Sequence, residues 1–113
     1  MKCLERGQVV TALFFKDKPR PGVVVRASRY AQSDNVTLCP VTSTLAGGPL
    51  RVRVLSGKSG LETESEILPY RITTLPGHRI GDSIGRLSNS ELRAMDGVLK
   101  DWLELGGALG EAE

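Results

Sequence analysis

Between residues 8 and 75 the chain is a series of short β-branched and aromatic runs, each cut off by proline, glycine or charge, and only after Ser88 does a helical period take over. Strands that alternate with helices build parallel sheets, whereas consecutive short strands joined by turns build antiparallel ones. The expected class is therefore mainly β (α+β), as a small antiparallel SH3-like β-barrel with a C-terminal α-helix packed on it.

Residues 8–15 carry Val9, Val10, Thr11, Ala12, Leu13, Phe14 and Phe15 without a breaker and read as a strand. Residues 16–21 hold four charges and two prolines. Proline donates no ladder hydrogen bond, so this segment reads as a connecting loop. Residues 22–26, with three consecutive valines, read as a strand buried on both faces. Residues 30–35 are polar and loop-like, 36–41 form a further strand, and 42–49 are rich in turn formers. In residues 50–55, Arg51 and Arg53 alternate with Val52 and Val54, a period of two that puts both arginines on a solvent face. Residues 56–60 form a turn, and 67–75 read as another strand, set at an edge by Pro69.

Ser88-Asn89-Ser90-Glu91 is a capping box, in which serine and glutamate satisfy each other's free amides at a helix start. Leu92, Met95, Leu99, Trp102 and Leu103 then share one helical face, and Gly106-Gly107 supplies the stop.

A chain of 113 residues has room for one hydrophobic core. Residues 1–107 are accordingly read as a single domain and 108–113 as a disordered tail. No apolar run could cross a bilayer, and the first eight residues lack a secretory stretch, so a cytoplasmic location is expected. Cys3 and Cys39 have no metal-ligand spacing, and Cys39 reads as a small buried hydrophobe. The net charge of +2 hides an asymmetry. Residues 1–60 hold ten Lys/Arg against three acids, whereas 61–113 hold five against ten. A basic face offered to phosphates fits this division, as does a solvated acidic helix.

A single histidine excludes a two-histidine ribonuclease site or a histidine cage within one subunit. The absence of a Walker sequence argues against nucleotide-dependent work. Neither a metal nor a cofactor is expected. His78 reads as an exposed imidazole in a polar loop. Glu62, Glu64 and Glu66 share a parity and read as a solvated strand edge rather than a metal or acid–base cluster.

Two groups carry chemistry. Lys16, Lys18 and Arg20 lie in the proline-stiffened loop, where an arginine between two prolines loses less freedom on binding a phosphate. Thr42 and Ser43 close a strand and offer hydroxyls, although such residues also cap turns for local reasons.

Taken in order, Arg6-Gly7-Gln8-Val9-Val10, Pro19-Arg20-Pro21-Gly22-Val23-Val24-Val25, Cys39-Pro40-Val41-Thr42-Ser43, Gly60-Leu61 and Ile84-Gly85-Arg86-Leu87-Ser88 with the helix after them resemble the MazF/PemK/Kid toxins over residues 5–105. The resemblance implies a small barrel with a terminal helix, a homodimer with single-stranded RNA across its groove, and silencing by a cognate antitoxin. It also implies metal-independent cleavage to 2′,3′-cyclic phosphate and 5′-hydroxyl ends. The family's catalytic arginine and threonine fall on Arg20 and Thr42, and Ser43 matches the adjoining hydroxyl residue. Tyr70-Arg71 stands where many relatives carry an aspartate-glutamine pair. Lys16, Lys18, Tyr70 and Arg71 are the remaining candidates for RNA contact, with Tyr70 stacking on a base and Arg71 meeting a phosphate. The alternative is a non-catalytic protein resembling the CcdB toxins, which poison DNA gyrase by binding. Trp102 near the C-terminus keeps that alternative open.

Overall fold

The computed structural model describes residues 3–15 and 18–106. Seven strands among them form one antiparallel sheet: β1 (Gln8–Ala12), β2 (Arg20–Val24), β3 (Asn35–Thr42), β4 (Val52–Val54), β5 (Ser65–Ile67), β6 (Thr73–Pro76) and β7 (Ile80–Arg86). Their order is β4-β5-β3-β2-β1-β7, with β6 pairing the first half of β3. The helix α1 (Asn89–Leu103) follows. This is the expected mainly-β fold with one C-terminal helix.

The sheet is buried on both sides because it curls. Val9, Val23, Cys39, Val41, Ile67, Met95 and Leu99 belong to a core between sheet and helix, while Val10, Val24, Leu38 and Ile80 belong to a second core on the opposite face. Adjacent residues of β1 and β2 thus serve different cores, as side-chain alternation requires. Burial pushes the Cys39 thiol up to about 12, which keeps it protonated and inert at neutral pH.

Two closures shape the molecule. The glutamate of the capping box ties helix to sheet. Ser88 Oγ accepts from Glu91 N at 3.1 Å, and Glu91 Oε1 accepts from Ser88 N at 2.9 Å. Glu91 Oε2 also accepts from Leu55 N at the end of β4, 3.0 Å away. Arg6 clamps the same helix from the other chain end, donating to both Asp96 carboxylate oxygens at 2.6 and 3.2 Å and to the Val25 carbonyl at 3.0 Å. The second closure lies between β4 and β5, whose connection crosses β7. There Arg86 N donates to Lys58 O at 2.9 Å, and Gly60 lies against the Ile84 backbone.

Several boundaries depart from the sequence reading. The first strand ends at Ala12, not residue 15, and β2 begins at Arg20, inside the expected loop. Pro21 is tolerated in that ladder near the strand's start, where fewer bonds depend on its nitrogen. The expected strand at 67–75 is interrupted, because residues Pro69–Arg71 form a 3-10 turn and separate β5 from β6. Pro69 is buried there rather than set on an open edge. β7 has no counterpart in the sequence reading. Its run Ile80-Gly81-Asp82-Ser83-Ile84-Gly85 is too polar and glycine-rich to read as a strand.

The helix also stops before the glycines. Glu104 takes the left-handed conformation (φ 55°). Its amide donates to the Asp101 carbonyl, and Leu105 N donates to the Lys100 carbonyl at 2.9 Å, the pairing of a Schellman stop. The expected tail at 108–113 lies outside the described residues.

Candidate functional site

The main groove has a volume of about 1260 Å3 and is lined by residues from the β1 end, β2, the β3 end and the 3-10 turn. The β2–β3 ladder supplies its floor. That ladder pairs Gly22 with Pro40 and Val23 with Cys39. Arg20 stands two residues before Gly22 at the start of β2, and Thr42 two residues after Pro40 at the end of β3. Both side chains line the groove, as do Ser43, Tyr70 and Arg71. Five candidates drawn from three separate parts of the sequence are therefore brought together.

Lys18 is exposed but does not line this groove. Lys16 lies outside the described residues. His78 is exposed on the turn Gly77–Arg79 and borders a different pocket, beside Asp34.

Each element presents its side chain for a local reason. Arg20 is exposed at the start of β2, held by proline on both sides. It makes no side-chain hydrogen bond or ion pair among the described residues, so its donor fork is available. Thr42 is half-buried, and its Oγ1 accepts from Thr44 N at 3.1 Å. That bond uses a lone pair and leaves the hydroxyl proton free to donate. Tyr70 is half-buried on the 3-10 turn, its ring edge-on to Trp102 with centroids 6.1 Å apart. Trp102 therefore stands behind the groove wall, half exposed itself.

Three groove residues escaped the sequence reading. Phe14, Phe15 and Arg51 line the site, but the phenylalanines read as strand interior and Arg51 as solvent-facing. Phe15 is 72% exposed, and an aromatic ring that close to a proline-rich break was the available signal.

The glutamates need correction. Glu64 is exposed and pairs with Arg53 at 2.9 Å, and Glu62 lines the groove, but Glu66 is 2% exposed and is no part of a solvated edge. Its carboxylate accepts from Arg51 Nη1 at 2.8 Å and from the amides of Ala46 and Gly47 at 3.0 Å. The Arg51 bond, joined by those amides, holds Glu66 at about 2, well below the usual carboxylate range. It stays ionised at any ordinary pH. Arg51 in turn is raised, chiefly by Glu66, with burial opposing and the Tyr70 hydroxyl adding to the effect. Among the described residues no group of three His, Cys, Asp or Glu could hold a metal ion.

The groove thus offers two guanidiniums, of Arg20 and Arg71, that make no side-chain hydrogen bond or ion pair among the described residues, together with two adjacent hydroxyls and the rings of Phe14, Phe15 and Tyr70. Such a set can bind a phosphodiester, stack its flanking bases and stabilise negative charge on phosphorus oxygens.

The comparisons with known proteins agree with one another. A family model for PemK-like, MazF-like toxins of type II toxin–antitoxin systems matches residues 5–103. A protein of Mycolicibacterium smegmatis named probable endoribonuclease MazF is 28% identical over 109 residues, spanning 92% of this chain and all of the relative. The Mycobacterium tuberculosis toxin MazF-mt6 superposes with a TM-score of 0.76 at 27% identity, covering 88% of this chain and 98% of that one. An endoribonuclease solved with its cognate antitoxin from a mycobacterial species has the same fold, with a TM-score of 0.77 at 21% identity over 91% of this chain and 97% of its own.

Proposed function

The chain belongs to the PemK-like, MazF-like toxin family of type II toxin–antitoxin systems, and from that premise we propose that it is a metal-independent endoribonuclease acting on single-stranded RNA. The observation that carries the reading is that Arg20 from β2 and Thr42 from the neighbouring β3 line one groove. The name of its M. smegmatis relative supports the same activity.

In the proposed reaction the ribose 2′-oxygen forms a bond to the adjacent phosphorus while the bond to the 5′-oxygen of the next nucleotide breaks. Negative charge gathers on the non-bridging oxygens. The Arg20 guanidinium meets that charge with a rigid fork of donors, and such preorganised donors act only where charge develops. An arginine remains charged in proteins, so its part is electrostatic; the 2′-hydroxyl proton passes to solvent water, and the leaving 5′-oxygen takes up a proton from water. Thr42 donates its free hydroxyl proton to the phosphate, and Ser43 binds beside it. Tyr70 stacks on a flanking base and Arg71 meets a neighbouring phosphate. The products are a 2′,3′-cyclic phosphate and a 5′-hydroxyl. Lys16 and Lys18 contribute positive charge that attracts the RNA backbone.

The toxin works as a homodimer in the cytoplasm and is neutralised by a cognate antitoxin. The exposed apolar end of the helix, Trp102, Leu103 and Leu105, suits contact with another protein surface. Among the described residues no helix is long and apolar enough to cross a membrane. The family match favours this reading over gyrase poisoning of the CcdB kind.

Incubation with a long RNA in EDTA, followed by mapping of 5′-hydroxyl ends, tests the function. Discrete ends at a short recurring sequence are expected, and Thr42→Ala should slow their appearance by roughly tenfold to a hundredfold. Intact RNA, or cleavage that vanishes with the chelator, would contradict the proposal.

A further inference from the structure

The connection from β3 to β4, residues 43–51, begins with the Ser43 hydroxyl directly after Thr42 and has almost no packing of its own. Residues 43–49 are exposed. A side chain added at Gly47 or Gly48 would meet nothing within 4 Å. Segments with so few contacts are ordinarily mobile. What restrains this one is a single buried carboxylate on the neighbouring strand.

Glu66 is paired with Thr42 in the β3–β5 ladder and with Arg53 in the β4–β5 ladder. It accepts from the amides of Ala46 and Gly47 and from Arg51 Nη1. The same Arg51 Nη1 also donates to the Thr44 carbonyl at 3.1 Å, and Arg53 Nε lies 3.6 Å from the carboxylate. Three residues of one connection are thereby gathered on one anion, and a fourth, Thr44, is joined to them through Arg51 and is itself bonded to Thr42 Oγ1.

We infer that Glu66 is a positioning residue: its carboxylate latches the β3–β4 connection so that the Thr42 and Ser43 hydroxyls keep their places in the groove. The inference rests on the nuclease reading and deepens it. Glu66 is buried behind the connection and does not itself line the groove, so its effect on RNA passes through the backbone it holds. A buried carboxylate that accepts two backbone amides and an arginine cannot be replaced by an amide without loss. Glutamine has one acceptor oxygen and brings donors that face other donors.

The test is Glu66→Gln, with Glu66→Asp beside it, read in two ways. Amide hydrogen exchange in the RNA-free protein should show Ala46 and Gly47 exchanging roughly tenfold faster or more in Glu66→Gln, with Val23 and Leu38 in the central ladder unchanged. RNA cleavage by the same protein should show kcat lowered roughly tenfold to a hundredfold, with KM within about twofold. Glu66→Asp keeps the charge on a shorter arm and should recover part of both; it carries the test alone if the glutamine variant does not fold. Wild-type kcat in Glu66→Gln would overturn the latch, as would a lowered kcat with unaltered protection at Ala46 and Gly47. Wild-type protein is assayed on the same RNA, so a failure of the nuclease reading appears there and a failure of the latch appears only as a variant matching the wild type.

Discussion

Arg20→Ala is expected to lower kcat on RNA by roughly a hundredfold to a thousandfold while leaving Tm within about 3 °C of the wild type. The side chain is exposed and makes no hydrogen bond or ion pair among the described residues, so the folded state loses little when it is removed. In the proposed reaction the transition state loses its principal counter-charge. Arg20→Lys separates charge from geometry. An ammonium restores a positive charge without the planar fork that grips two phosphate oxygens together, so activity should return only in part. Single-turnover cleavage beside a thermal melt checks both halves. Equal losses of rate and of Tm would assign Arg20 to the fold instead.

The second large effect is on stability. Gly60→Ala should destabilise the protein by about 3 kcal/mol or more, lowering Tm by roughly 10 °C or more. Two costs combine there. Gly60 has φ +79°, where a Cβ is disfavoured, at about 1–2 kcal/mol. A Cβ would also overlap the Ile84 carbonyl oxygen, a backbone atom that cannot swing aside. Gly57 is the matched control. Its φ is +101° but nothing lies within 4 Å of an added Cβ, so Gly57→Ala should show only the conformational cost of about 1–2 kcal/mol. Urea unfolding of the two variants measures the difference. If both lose the same stability, the close crossing of residues 58–60 over β7 is not what closes the sheet.

That crossing gives a physical meaning to a fragment the sequence presents only as Gly60-Leu61. Glycine is required because two backbones touch, and Leu61, Glu62 and Thr63 then line the groove. In the same way Arg6 and Gly7 at the chain start are structural. Arg6 grips Asp96, and Gly7 N donates to the Val24 carbonyl at 2.8 Å. Short-range signals such as these were readable because they have one physical cause each. The capping box is another, and it is formed as its residue types dictate.

What escaped the sequence depended on distant partners. Period-two alternation assigns Glu62, Glu64 and Glu66 to one face but cannot say that Glu66 alone ends beneath an arginine and two amides from residues 46–51. Arg51 and Arg53 alternate as expected, yet both turn toward Glu66, so the face read as solvent holds a buried anion. β7 has the composition of a loop and becomes a strand because β1 supplies its ladder, with shifts of register near Val9, Val10 and Ala12. Glu104 ends the helix before the glycines because the Schellman bonds outweigh the mild cost of its left-handed backbone. The grouping of Arg20, Thr42, Ser43, Tyr70 and Arg71 in one groove was legible only through the family resemblance. The neighbouring rings of Phe14 and Phe15 were not, since a strand reading of residues 8–15 hid where β1 ends.

The most direct measurement uses an RNA oligonucleotide containing the mapped cleavage sequence, with a single 2′-deoxyribose placed at the cleaved nucleotide. If the neighbouring 2′-oxygen is the nucleophile that Arg20 and Thr42 assist, that oligonucleotide should bind as the parent does and remain intact in EDTA. Cleavage of the deoxy-substituted strand at the parent rate would mean that another nucleophile attacks phosphorus, and would contradict the roles assigned to Arg20 and Thr42 in the groove.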